Sequence, residues 1–448
     1  MATAFQLTEA LNKSKLTKRH ISFYLIMIFC HFFDGFDIQT LGFALPGIIK
    51  DFALSPKQAG FLASSVFIGM LFGGIIVGTI ADRIGRKYAI IFAASVYGAM
   101  SLAAAFATSY DSILVIRILQ GFGLGAEVPL VFTYLSEFLP AKHRGFLIAS
   151  IIAFWQAASF VTALLAIYIV PAFTWRGMFV AGAIPVAVLL VLLARLPESV
   201  RFLLLKGRNR EAEKIVGDFS DVPAHTLPAT NSSPVAQQAS LSELATSGYL
   251  RATLGLWIMQ FCGGAVFIGL LVWLPSIFVK MGFSLVHSFV FTAAITASGA
   301  VGNVIGGYSI DLVGRRATLA AAFIIGGILT FFWGFASSGT AIVLIGCVTA
   351  FFAFGAAGGP LFAYTSEIYP TRFRATGTGW AAAWQRVGGI VAPIALSSVL
   401  ASGANNSTFF LILAVTLLAG GVSMLFLGYE TKGRSLEQIQ LDLSGKAA

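Results

Sequence analysis

Twelve runs of mostly apolar residues follow one another along the chain, at 21–45, 58–81, 87–107, 111–135, 146–170, 175–195, 251–275, 284–310, 317–337, 340–366, 374–400 and 407–428. Each is close to the roughly 20 residues that a helix needs to cross the hydrocarbon core of a bilayer. Barrel strands would run about ten residues with a polar residue at every second position. That alternation is absent, so the pattern predicts an all-α protein with twelve transmembrane helices. One long polar stretch, 196–250, interrupts the series after six runs, and Asp218 to Ser240 is rich in Ser, Pro, Ala and Gln. It reads as a linker with short amphipathic pieces around Glu198 to Lys214. The expected organisation is therefore a six-helix bundle at 1–195, a cytoplasmic linker at 196–250, a second six-helix bundle at 251–428 and a tail at 429–448.

Composition agrees with this reading and removes its rivals. Hydrophobic residues make up 57% of the 448, charged residues 11%, and the mean hydropathy is +0.86. Soluble domains carry about 25% charge, and disordered chains are poor in apolar residues. A soluble enzyme and a disordered chain are both excluded. Cys30, Cys262 and Cys347 all fall inside apolar runs, so no disulfide framework is expected. The net charge of +10 is carried by residues between the runs, not on a stripe of their own, so it speaks for membrane topology and against nucleic acid. With the N-terminus inside, 23 of the 29 Lys and Arg fall on cytoplasmic segments, while Lys50, Lys57, Arg176 and Lys280 are the four outside. That asymmetry predicts cytoplasmic N- and C-termini. The first twenty residues are polar and basic, and lack the short apolar stretch and cleavage site of a signal peptide.

The two halves repeat. Gly78, Asp82, Arg83, Gly85 and Arg86 follow the second run as Gly307, Asp311, Gly314, Arg315 and Arg316 follow the eighth, with the two Asp 229 apart. Glu137, Pro140 and Arg144 follow the fourth run as Glu367, Pro370 and Arg374 follow the tenth, with the Glu 230 apart. Glu198 and Glu430, after the sixth and twelfth, are 232 apart. Three landmarks at nearly one offset indicate a duplicated six-helix unit, the plan of many secondary transporters. These loop motifs, with Pro197-Glu198-Ser199 and the segment Tyr429 to Ser435, resemble the major facilitator superfamily over essentially the whole chain. Asp34-Gly35-Phe36-Asp37 in the first run resembles the DGxD signature of the aromatic acid:proton symporters, and Arg117 and Arg386 stand as they do in that group. The resemblance implies the major facilitator fold, alternating access at a midplane site, and a bacterial inner-membrane location.

Five ionisable residues fall well inside the runs: Asp34, Asp37, Arg117, Glu127 and Arg386. Each costs roughly 2.5–3.5 kcal/mol at the bilayer centre on insertion scales, so each asks for a reason. Asp34 and Asp37 share a helical face, with His31 one turn earlier. Two carboxyls in so dry a place resist ionising together, which suits at least one to exchange a proton. The plainer alternative is that one Asp pairs with Arg117 and ties two helices together. Both readings are compatible, since protonation would release such a pair. Arg117 opens a stretch with Gln120, Gly121, Gly123 and Gly125, whose glycines read as helix packing and not as a phosphate loop, because no strand precedes them. Glu127 is either a second proton group or a neutral acid. Arg386 sits mid-run with no acid of its own half at the same depth. A guanidinium stays protonated when buried and grips a carboxylate with two hydrogen bonds; the expected visitor is an organic anion, and the alternative is a carboxylate from the first half.

Phe36, Trp155, Tyr364 and Trp384 are candidates to hold an aromatic ring, although most such residues pack helices or face lipid. Gln156, Gln260, Asn303 and Gln385 are candidates for polar contacts, because unpaired amides are costly in apolar surroundings. Asp82, Arg83, Arg86, Glu137, Arg144, Glu198, Asp311, Arg315, Glu367, Arg374 and Glu430 form the expected gating network: Glu137 with Arg144, Glu367 with Arg374, and pairs that break as the halves rock. The expected function is import of a small, aromatic carboxylate together with a proton, by a monomer, without cofactor or metal. A sugar or polyol porter of the same superfamily and an exporter of acids or drugs are the rivals. An enzyme is disfavoured because no metal cluster, nucleophile triad or cofactor motif appears.

Overall fold

The structure is a computed structural model that describes residues 3–227, 247–369, 374–434 and 436–443. The side chains of Asp82 and Arg374, and the 228–246 part of the linker, lie outside the described residues. The described residues contain helices and no strand. In chain order the helices are α1 Ala4–Lys13, α2 Lys18–Asp51, α3 Pro56–Ile84, α4 Arg86–Ala105, α5 Tyr110–Phe138, α6 Ala141–Ala194, α7 Val200–Leu205, α8 Asn209–Phe219, α9 Ser247–Lys280, α10 Leu285–Leu312, α11 Arg315–Trp333, α12 Gly339–Ala357, α13 Gly359–Ile368, α14 Arg374–Ala401, α15 Asn406–Leu427 and α16 Leu436–Leu443.

Eleven segments among the described residues are long and apolar enough to cross a membrane. Lipid offers no hydrogen bonds to a peptide group, so a spanning segment must satisfy its own backbone, and the helix does so. Serine side chains close several helix starts: Ser109 accepts from the Ser112 amide, Ser284 from His287 and Ser338 from Ala341. Two of the twelve apolar runs merge into α6. Its 54 residues would stretch about 80 Å as one straight rod, well beyond a bilayer core. The helix breaks inside at Thr174, whose φ of 60° and ψ of −174° are not helical. The tenth run is divided between α12 and α13 at Gly358.

Packing divides the chain into two units whose limits are not those of the sequence halves. One comprises 1–38, 68–158 and 176–235; the other comprises 39–67, 159–175 and 236–448. The second unit therefore takes in the α2–α3 turn with its flanking half-helices and part of α6. Within it, Gly42 of α2 lies so close to α9 that a Cβ would come 2.7 Å from the Leu271 carbonyl. Ser64 of α3 donates to the Ile390 carbonyl of α14 at 2.7 Å, and the rings of Phe43 and Phe289 meet edge-on at 5.4 Å.

The repeat recurs as a structural device at the helix ends. Glu198 Oε1 accepts from the Arg86 and Lys87 amides at 2.9 and 3.2 Å, so its carboxylate seats on the N-terminus of α4. Glu430 does the same for α11, accepting from Arg315 at 2.9 Å and Arg316 at 3.1 Å. Free amides and the helix dipole make such an end an anion site. Beside each cap a second glutamate is held. Glu137 accepts from Ser199 Oγ and lies 3.5 Å from Arg86 Nε; Glu367 takes a two-pronged hydrogen bond from Arg315 at 3.0 and 2.9 Å and one from Thr431 at 2.5 Å. Arg315 also reaches Asp311 at 3.0 Å.

One expected pairing is corrected here. Arg144 donates to the Leu139 carbonyl at 3.0 and 2.7 Å and to Asn12 at 2.6 Å, leaving Glu137 to Arg86 and Ser199. Glu367 is held by Arg315, and its expected partner Arg374 has a side chain outside the described residues. All of these pairs join elements of a single unit, so they brace each unit from within. Arg83 is exposed.

The caps need a backbone that only glycine adopts readily. Gly85 and Gly314 have φ of +102° and +123°, and a Cβ at Gly314 would come 2.6 Å from a Glu430 oxygen. Gly314→Ala should lose roughly 1–3 kcal/mol and show a clearly lowered melting temperature in detergent. Gly307→Ala, where a Cβ meets open space, should leave it unchanged.

Candidate functional site

The DGxD segment of α2 puts both of its carboxyls fully inside the first unit: Asp34 is 0% exposed and Asp37 1%. Asp37 Oδ1 accepts from Ser101 of α4 at 2.8 Å, and Oδ2 accepts from the Gln120 amide of α5. The same Gln120 receives Arg117 Nη1 on its carbonyl oxygen at 2.6 Å, and Arg117 reaches the Asp37 backbone carbonyl at 3.5 Å. Gln120 thus bridges acid and base, with its amide donating to one and its carbonyl accepting from the other. Arg117 is completely buried, and its guanidinium stands 5.6 Å from the Phe179 ring centroid. Gly182 of α6 leaves the room that Asp37 occupies: a Cβ there would be 3.1 Å from Oδ1.

A second cluster lies on the same helix. His31 Nδ1 is 3.7 Å from Asp34 Oδ2 and 3.8 Å from Glu127 Oε2, and Glu127 is wholly buried. Trp155 of α6 donates its indole N–H to Asp34 at 3.2 Å. Gly35 makes that approach possible, since a Cβ there would lie 2.9 Å from the Trp155 ring. One atom from each of His31, Asp34 and Glu127 lies within 4.8 Å of the others. Phe36 and Gln156 are buried in this unit as well.

The remaining candidates belong to the second unit. Arg386 on α14 is half-buried. Trp384 lies 5.9 Å from Trp257 and 6.4 Å from Phe261, ring to ring, and Trp384 Nε1 has no hydrogen-bond partner among the described residues. Gln260 donates to Thr365 at 3.0 Å and leaves its carbonyl oxygen without a donor, and Asn303 leaves Nδ2 without an acceptor. Gln385 is half-buried. Tyr364 differs from expectation. Its hydroxyl donates to the Tyr429 carbonyl and accepts from the Tyr429 amide, both at 2.9 Å, in a fully buried place. Tyr134, 230 residues earlier, donates to the Pro197 carbonyl in the matching position. Tyr364 is therefore a staple of the repeat, with its hydroxyl already engaged, and not a ring-binding residue.

Sequence reasoning missed Ser101, Tyr134, the bridging role of Gln120 and the link from His31 to Glu127. Gln120 was detectable as the residue one turn after Arg117 on the same face. Tyr134 was detectable at the repeat offset.

The sequence signature described as Major Facilitator Superfamily matches residues 27–393. The chain belongs to the major facilitator superfamily. Among its relatives, the niacin transporter NiaP of Acinetobacter baylyi is 34% identical over 414 residues, spanning 91% of this chain and 94% of that protein. A gallate transporter of Pseudomonas putida is 30% identical over 93% of this chain and 95% of its own. A benzoate transport protein of Acinetobacter baylyi is 28% identical over 95% and 93%. In fold, the chain is similar to the xylose transporter XylE of E. coli in a partially occluded inward open conformation, with a TM-score of 0.77 at 19% identity over 94% of this chain and all of that one. This member of the superfamily is a multi-pass membrane transporter and not an enzyme, and its relatives carry aromatic and other organic acids.

The buried Asp37–Gln120–Arg117 chain has a thermodynamic signature. Removing one member of a buried charge pair leaves the other uncompensated and costs about 3–5 kcal/mol, whereas removing both is often neutral. Arg117→Leu should therefore lower thermal stability in detergent sharply, and adding Asp37→Asn should restore most of the loss.

Proposed function

We propose that the protein imports a small aromatic carboxylate together with a proton, by alternating access, across a bacterial inner membrane. The observation that carries this reading is the end-to-end match to transporters named for niacin, gallate and benzoate, which are all acids built on one aromatic ring. Arg386 holds the carboxylate, and Trp384, Gln385, Gln260 and Asn303 attend the ring and its substituents. A half-buried guanidinium within an apolar helix supports that assignment, because it can meet solvent-borne anions and still be dry enough for a strong grip. Asp37 carries the proton. Once protonated it no longer balances Arg117 through Gln120, and the arginine is freed to change partners. Twelve crossings follow if α6 spans twice, with Thr174 as its turning point. The excess of Lys and Arg on alternate segments then puts both termini in the cytoplasm. The chain acts as a monomer and uses no cofactor beyond the proton.

A neutral sugar is the poorer substrate for this chain. XylE shares the fold at a level of identity that says nothing of cargo, and a sugar offers no charge to Arg386.

In proteoliposomes, uptake of niacin, benzoate or 4-hydroxybenzoate should rise with an inward proton gradient and collapse with a protonophore. Asp37→Asn should abolish gradient-driven accumulation while allowing exchange without a gradient; full accumulation by that variant would remove Asp37 from coupling. Arg386→Ala should weaken binding of the accepted acid at least about thirtyfold, the equivalent of roughly 2 kcal/mol.

A further inference from the structure

We propose that His31 and Glu127 together form a second proton-binding site, separate from Asp37. This extends the reading of the chain as a proton-coupled transporter. The pair joins α2 to α5 inside the first unit and is almost completely withdrawn from solvent: Glu127 is 0% exposed and His31 5%. Both Glu127 oxygens and His31 Nδ1 lack a nitrogen or oxygen hydrogen-bond partner among the described residues. Buried polar atoms are nearly always hydrogen-bonded, and each exception needs a cause. Here the facing atoms are an acid oxygen and a ring nitrogen 3.8 Å apart. With the ring hydrogen on Nε2, a carboxylate and a bare Nδ1 are two acceptors and cannot bond to one another. One proton placed between them converts both into a donor–acceptor pair, and a closure of about 1 Å brings them to ordinary hydrogen-bond length.

The ring nitrogen also stands 3.7 Å from Asp34 Oδ2, so a small rotation of the imidazole carries that proton from one carboxyl towards the other. Neutral imidazole offers one donor and one acceptor, and the charged ring offers two donors. Because Nδ1 faces both carboxyls, it serves them in turn: bare, it accepts from a protonated Glu127, and once it carries the proton it donates to Asp34.

The surroundings favour a proton over a permanent ion pair. The other titratable neighbours are the Cys30 thiol on α2, a weak donor facing the Glu127 carboxyl, and the Tyr97 hydroxyl on α4, both buried and both close enough to feel Glu127 and Asp34. Phe132 covers the imidazole edge-on at 5.5 Å. Arg117, the buried cation on α5, is engaged with Gln120 and the Asp37 carbonyl. Asp37 itself takes its hydrogen bonds from Ser101 and Gln120. The two sites thus have different partners. Asp37 governs whether Arg117 is held, and its loss uncouples transport. The His31–Glu127 proton adds to the driving force without being needed for turnover.

The test is the proton-to-substrate ratio, read from accumulation of a transported aromatic acid in proteoliposomes with the membrane potential clamped at zero. One pH unit contributes a factor of about ten for each coupled proton. The wild type should respond as two protons per substrate. Glu127→Gln and His31→Gln should each lower accumulation about tenfold under a one-unit gradient, and Glu127→Asp should behave as wild type. A wild-type response of one proton overturns the proposal without needing any variant. So does unchanged accumulation in Glu127→Gln, or complete uncoupling like that of Asp37→Asn, which would mean a single shared proton. Stoichiometric zinc binding that His31→Gln abolishes would assign the cluster to a metal cation and overturn the proposal too. A wild type indifferent to the pH gradient would instead refute proton coupling as a whole.

Discussion

A charge in a bilayer must be neutralised by something within reach, and the first unit is organised around meeting that demand for Asp37. Its carboxyl accepts from Ser101 and Gln120, and Gln120 passes the interaction on to Arg117. Three helices, α2, α4 and α5, are fixed to one another by this arrangement, and α6 closes it with Phe179 and the space left at Gly182. Such a chain is balanced while both charges persist and loses its balance when one of them alone is removed. In the proposed cycle a proton on the acid would remove half of the balance and leave the arginine to find another partner. Stability and responsiveness come from the same few atoms.

The helix ends obey the same rule by other means. Glu198 and Glu430 each sit on the free amides of a helix N-terminus, after a glycine whose backbone turns the chain into place. Tyr134 and Tyr364 fasten the residue just before each glutamate. Because every one of these bonds is internal to one unit, the network makes each unit stiff. Stiff units would suit the proposed alternating access, in which whole bundles move. Mutations at these ends should therefore be felt as lost stability of a bundle more than as altered substrate preference.

Much of this was legible in the sequence because the bilayer leaves so few choices. Apolar runs long enough to span become helices. Repeat offsets marked Glu198, Glu430, Glu137 and Glu367, and a rare charge within a span marked Asp37, Arg117 and Glu127. Side-chain partners were less legible. Arg144 and Glu137 lie seven residues apart and suggested a pair, yet Arg144 turns back to the Leu139 carbonyl at the end of α5, an acceptor that sequence does not display. Tyr364 looked like a ring-binding aromatic because its hydroxyl partner is a backbone 65 residues away. Packing units were not legible either, since segments 39–67 and 159–175 join the second unit through long-range contacts that no local pattern encodes.

In the proposed cycle an aromatic acid and a proton cross together. The most direct measurement loads proteoliposomes with a pH-sensitive dye, sets equal pH and zero potential across the membrane, and adds niacin or benzoate outside. Co-transport acidifies the interior in a way that depends on the protein, saturates with substrate and is absent for a neutral sugar. Entry of the acid with no change in internal pH, or acidification by the sugar alone, would contradict it.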